Sequence, residues 1–168
     1  VTIGYNGNPI HNQDKAIRIL SQLPQSIKER IHMVFPMTYS APSDYLVKVN
    51  KLALKSGITY TILDKFMSNK EVCVLRAITG IFVMLENTDG FAGSVRSHVY
   101  CQNVCIIADW LDYPLERNNV YYKKVNWDNL FDVFSDVVVN FDEHHNKCLS
   151  NKEKMLPFMT WDRYVEYM

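Results

Sequence analysis

Short apolar runs and stretches with helical spacing take turns along this chain from one end to the other. "VTIGY" (1–5), "IHMVF" (31–35), "ITYTIL" (58–63), "GIFVML" (80–85), "VCII" (104–107) and "NVYYKKV" (119–125) read as strands. Between them, "QDKAIRILSQL" (13–23) sets Ile17, Leu20 and Leu23 at helical spacing. "PSDYLVKVNKLALKSG" (42–57) makes an apolar stripe of Tyr45, Leu46, Val49, Leu52 and Ala53, with Ser43 expected to cap it and Gly57 to end it. Further helices are expected over 69–78, 93–101, one or two over 127–148, and a closing one over "TWDRYVEYM" (160–168). Strands joined through helices are parallel strands, because a parallel pair needs a long crossover and its faces must be covered. The expected class is α/β: a Rossmann-like parallel sheet of about six strands with helices on both faces.

A chain of 168 residues can bury one substantial core, so residues 1–168 are read as a single domain. Lys plus Arg and Asp plus Glu are 18 each, and this balance argues against a nucleic-acid coat or a polybasic membrane anchor. No apolar run approaches the roughly 20 residues of a membrane span, and no signal-peptide pattern opens the sequence. Cys73, Cys101, Cys105 and Cys148 form no CxxC pair, and are read as reduced, mostly buried thiols of a cytoplasmic protein. Val1 already lies in a strand-like run, which suggests a domain of a longer protein.

An open parallel sheet binds its ligands outside the carboxyl ends of its strands. Those ends are "NGNP" (6–9), "PMTYS" (36–40), "DKFMS" (64–68), "ENTDGFAGS" (86–94) and "ADWLDYP" (108–114). In the fourth, Gly90 and Gly93 permit close backbone approach, and a helix from about Ser94 turns its free amides towards the cleft, which suits a phosphate. The same loop also reads as a plain β–α connection. No third glycine completes GxGxxG after the first strand, and neither GK[ST] nor GxSxG occurs. Asp142, Glu143, His144, His145 and Cys148 match no metal-ligand spacing and read as a solvated helix end. Asp109 and Asp112 are not the close pair that would hold a divalent cation, so no metal site and no cofactor is expected. Trp127, Phe131 and Phe134 read as core, and "YYKK" (121–124) as an edge strand with solubilising lysines.

The order of elements resembles the C-terminal, donor-binding half of a GT-B glycosyltransferase. "VTIGYNG" followed by "MVFPMTYSAPSDYLVKV", with Pro36, Met37, Tyr39 and Tyr45, is similar to bacterial transferases of surface polysaccharide synthesis, especially the 4-acetamido-fucose transferase family. "DGFAGSVRSHVYCQNVCII" resembles the wider family's glycine loop, helix and returning strand. Where many retaining members carry a glutamate on that helix, this chain has Ser97, with His98 beside it. The usual basic pair for the diphosphate is missing too, leaving Arg96 and His11 near the candidate loops.

The resemblance implies a nucleotide-diphosphate sugar held without metal. Asp89, Gly90, Phe91, Ala92, Gly93, Ser94 and Val95 would take the diphosphate, with Asn6 and Gly7 opposite. Pro36, Met37 and Tyr39 would lie against base and ribose, with residues 64–67 nearby and Ser97 towards the ribose. A lipid-linked or glycan acceptor and the general base would belong to an absent N-terminal domain, leaving the isolated half inactive. The resemblance allows peripheral association with the inner membrane face, and nucleic acid is not an expected partner. A GT-B-like sugar-nucleotide epimerase and a flavodoxin-like binding module stand as alternatives.

Overall fold

The computed structural model describes residues 1–159, so the expected closing helix at 160–168 lies outside the described residues. The chain runs β1 (Thr2–Ile3), α1 (Gln13–Leu20), α2 (Gln25–Lys28), β2 (His32–Pro36), α3 (Ser43–Lys55), β3 (Thr59–Leu63) and α4 (Asn69–Ile78). It continues through β4 (Ile81–Met84), α5 (Gly93–Tyr100), β5 (Val104–Ala108), β6 (Lys123–Val125), α6 (Leu130–Val139), α7 (Phe141–Cys148) and α8 (Asn151–Met155). The strands form one parallel sheet of six in the order β3-β2-β1-β4-β5-β6. The expected class is the observed one.

Burial explains the strand composition. β4 and β5 are covered on both faces, and Phe82, Val83, Met84 and Val104 through Ala108 are all fully buried. A strand sealed on both sides reads as continuous rather than alternating apolar sequence. β3, at one edge, is half-exposed throughout. One layer of helices holds α1, α3 and α6, and the other holds α4, α5, α7 and α8. Among the described residues no helix is long and apolar enough to cross a membrane.

Several local expectations change. Ser43 is the first helical residue of α3, not its cap; Pro42 holds the cap position, and its side chain makes no capping bond. The sixth strand starts only at Lys123, because the β5–β6 crossover runs through a short 3₁₀ turn at Glu116–Asn118 rather than an α-helix. It is an edge strand as expected, and its lysines are paired, Lys123 with Asp136 and Lys124 with Glu116. The stretch read as a solvated helix end is tied inward. His144 is buried, with Nδ1 facing the Tyr121 hydroxyl at 2.5 Å and Nε2 facing Asp136 Oδ2 at 3.0 Å. Cys148 and Cys105 are core, Cys101 is half-buried, and Cys73 is exposed. Phe134 is core as expected, whereas Trp127 stays half-buried beneath the Lys15 ammonium, 3.7 Å from its ring centre.

Candidate functional site

Strand order reverses between β1 and β4, so the chains leaving their carboxyl ends diverge and open a crevice. A cleft of about 370 Å³ lies there and runs down between α4 and α5 along β1. Tyr5, Pro36, Thr38 and Tyr39 line it from the strand ends, and Ala92, Gly93 and Ser94 from the start of α5. Phe66, Met67 and Asn69 border it beside α4, and Arg76 and His98 line it together with Thr2.

The start of α5 is open. Ala92 sits at the cap with no side-chain bond, and the amides of Gly93, Ser94 and Val95 meet no acceptor among the described residues. Free first-turn amides together with the helix dipole favour an anion. Asp89 shapes the approach, its Oδ2 accepting from the Ala92 amide at 2.8 Å and from the Tyr113 hydroxyl. The left-handed turn falls on Phe91 (φ 63°), whose ring packs against Tyr113 and Phe158. Gly90 is not left-handed and has open space where a side chain would begin.

Of the residues expected to bind, Pro36, Tyr39, Ala92, Gly93 and Ser94 meet in the cleft. Others serve the frame. Asn6 Oδ1 accepts from the Asn8 amide, and its carbonyl accepts from Gln13 Nε2 at 2.6 Å. Gln13 Oε1 in turn accepts from the Tyr45 hydroxyl at 3.0 Å, which ties the β1 loop through α1 to α3. At Gly7 an added Cβ would stand 2.2 Å from Ala41 Cβ, so glycine is there to let the β1 and β2 loops touch. Met37 and Val95 are buried core, and the Ser97 hydroxyl donates to the Gly93 carbonyl one turn back.

The cations expected near the loops are committed elsewhere. Arg96 Nη1 donates to the Phe158 carbonyl at 2.8 Å. His11 is fully buried beside Tyr5, and burial holds its pKa down at about 4. Arg76, which the spacing of α4 does not single out, is the cation lining the cleft among the described residues. Behind the β1–β4 junction, Glu86 is sealed beneath the Tyr5 hydroxyl at 3.1 Å. Burial, with Asp89 adding to it, pushes the Glu86 carboxyl up to about 7. With His11 3.7 Å away and neutral, the two make a buried polar contact rather than an ion pair. Among the described residues no three His, Cys, Asp or Glu side chains converge as a cation site.

No family model matches this sequence, and neither does any curated protein. Solved structures do. The catalytic domain of a cholesterol α-glucosyltransferase from Helicobacter pylori superposes with a TM-score of 0.73 at 15% identity, over 94% of this chain and 96% of that one. A UDP-forming α,α-trehalose-phosphate synthase from Burkholderia xenovorans gives 0.67 at 11% identity, over 99% of this chain and 43% of that one. WaaG, a glycosyltransferase involved in lipopolysaccharide biosynthesis, gives 0.61 at 14% identity, over 84% of this chain and 38% of that one. The chain thus spans well under half the length of the latter two. At such identities the likeness is one of fold: a Rossmann-like domain of the kind that forms half of a GT-B glycosyltransferase.

Proposed function

We propose that this chain is the donor-binding domain of a metal-independent glycosyltransferase, taking a nucleotide-diphosphate sugar and serving a glycan or lipid-linked acceptor. The observation that carries the reading is the cleft between α4 and α5, where α5 amides that meet no acceptor among the described residues and the Arg76 side chain come together at the strand-order reversal. Departure of a nucleoside diphosphate leaves negative charge that must be met in place, and preorganised amides with a cation do so without reorganisation. The diphosphate lies at Gly93, Ser94 and Val95, with Arg76 as counter-charge. Base and ribose lie against Pro36, Thr38 and Tyr39, and the 84%-exposed ring of Phe66 offers a stacking surface at the mouth. Asp89, Gly90 and Phe91 set the loop, while Asn6 and Gly7 brace it from the β1 side.

Residues 1–168 act in this reading as one half of a two-domain enzyme of surface polysaccharide synthesis, of the 4-acetamido-fucose transferase type suggested by Pro36, Met37, Tyr39 and Tyr45. Acceptor site and general base belong to the other half, which works in the cytoplasm at the inner membrane face. An epimerase would need carboxylates open to the cleft; among the described residues no Asp or Glu lines it, and Glu86 is buried. The experiment is a titration of the chain with UDP, GDP and TDP without added metal, followed by amide NMR. Saturable shifts are expected at Gly93 to Val95, Thr38, Tyr39 and along α4, and Arg76→Ala should weaken binding about tenfold, the scale of a charge-assisted contact. Unmoved α5 amides at millimolar concentrations of all three would overturn the reading.

A further inference from the structure

His98 is only 2% exposed, yet it is one of the residues that line the cleft, together with Thr2 and Arg76. Its protonation pattern follows from its neighbours. Asn103 Nδ2 donates to the Thr79 carbonyl, which fixes the Asn103 amide with its oxygen towards the imidazole. That oxygen stands 2.7 Å from His98 Nδ1, so Nδ1 must carry the proton. The ring is stacked on Phe82, with centroids 3.9 Å apart and planes 9° apart, and cannot turn to exchange its nitrogens. A second proton on Nε2 would place a charge in a buried apolar stack near the Arg76 guanidinium; burial, chiefly, holds the His98 pKa down at about 4. Nε2 is therefore a bare lone pair, and no group among the described residues donates to it.

We infer that His98 is a tautomer-locked hydrogen-bond acceptor at the inner end of the cleft, which selects a ligand presenting a hydroxyl to Nε2 and turns anions away. The division of labour follows from charge: the diphosphate stays with the α5 amides and Arg76, because a lone pair repels it, and a neutral hydroxylated ring fills the inner end. A buried acceptor left unmatched is costly, so a ligand lacking that hydroxyl is rejected more strongly than one merely smaller. This rests on the donor-site reading above. The hydroxyl belongs either to the ribose or to the transferred sugar, and the two sources are separable.

Long-range ¹H–¹⁵N NMR of the 168-residue chain at pH 7 should show His98 Nδ1 protonated and Nε2 bare; a protonated Nε2 overturns the inference, whatever binds. His98→Phe keeps the stack on Phe82 and removes the acceptor, and His98→Gln restores a side-chain acceptor should the first variant fold poorly. For whichever nucleotide binds the wild type, His98→Phe should weaken binding about tenfold and His98→Gln less. If the hydroxyl is the ribose 2′-OH, the tenfold gap between wild type and His98→Phe is present for UDP and absent for 2′-deoxy-UDP. If it is on the sugar, the gap appears with UDP-glucose and not with UDP. Wild-type affinity of His98→Phe for all of these ligands overturns the role of His98 while leaving the donor site standing. Failure of the wild type to bind any nucleoside diphosphate overturns both.

Discussion

Two glycines in the loops around the cleft look alike in sequence and differ in what surrounds them. At Gly7 an added methyl group would meet Ala41 Cβ at 2.2 Å, against the neighbouring loop's backbone, so Gly7→Ala must separate the β1 and β2 loops. We expect a loss of about 1–3 kcal/mol, the range for overpacking a tight contact, read as a lower urea midpoint. Among the described residues beyond its chain neighbours, nothing lies within 4 Å of that position at Gly90, which is not left-handed, so Gly90→Ala should change stability by no more than about 0.5 kcal/mol. Equal losses at both positions would contradict this account. Asparagine, glycine and proline in "NGNP" are legible as a turn; that Gly7 faces Ala41 is not, because the partner lies in another loop 34 residues on. The same holds for Arg96 and Ser97. Their places on α5 are readable, but whether either faces the cleft depends on how α5 is rotated against α8 and the turn at Leu156–Phe158.

α4 is an element held mainly by its end. None of its residues is buried, and a helix of 10 residues is marginal in water without tertiary packing. Its start compensates: Ser68 Oγ accepts from the Glu71 amide at 3.3 Å, and Glu71 Oε2 accepts from the Ser68 amide at 2.7 Å, a reciprocal capping box. Ser68→Ala should cost about 1 kcal/mol, and the cost should stay local. Hydrogen exchange is expected to speed up across α4 while the amides of β4 and β5 keep their protection. Uniform acceleration through the central strands would mean that α4 unfolds only with the whole domain. The consequence reaches the cleft, since Asn69 and Arg76 stand on this wall and ligand binding should slow the same amides. The Ser68-Asn69-Lys70-Glu71 pattern marks the helix start in the sequence; which apolar residues of the helix lie exposed is not legible, because Val74 and Ile78 look like core residues until their surroundings are known.

Across the whole molecule, three buried titratable groups pull stability in opposite directions with pH. His11 and His98 have folded pKa values lowered to about 4 from 6.5, so the unfolded chain takes up their protons first, and their contribution is lost as pH falls from 6.5 towards 4. Glu86 has its folded value raised to about 7 from 4.5, so its contribution is present at low pH and lost as pH rises through 4.5 to 7. Between pH 5 and 6.5 the two histidines outweigh the one carboxyl, and stability should rise with pH. Glu86→Gln removes the opposing proton and should steepen that rise by up to about 1.4 kcal/mol per pH unit, measured by urea unfolding at several pH values. An unchanged slope would show that Glu86 is ionised in the folded chain. The sequence by itself determined the strand and helix alternation, and with it the parallel sheet, its covered faces and the strand ends where the cleft opens, because periodicity and burial on both faces are properties of consecutive residues. Only the tertiary structure decided which side chains share the cleft. Arg76, His98, Thr38 and Ser94 come from three segments separated by whole crossovers, and their meeting depends on strand order and helix rotation, which no local pattern encodes.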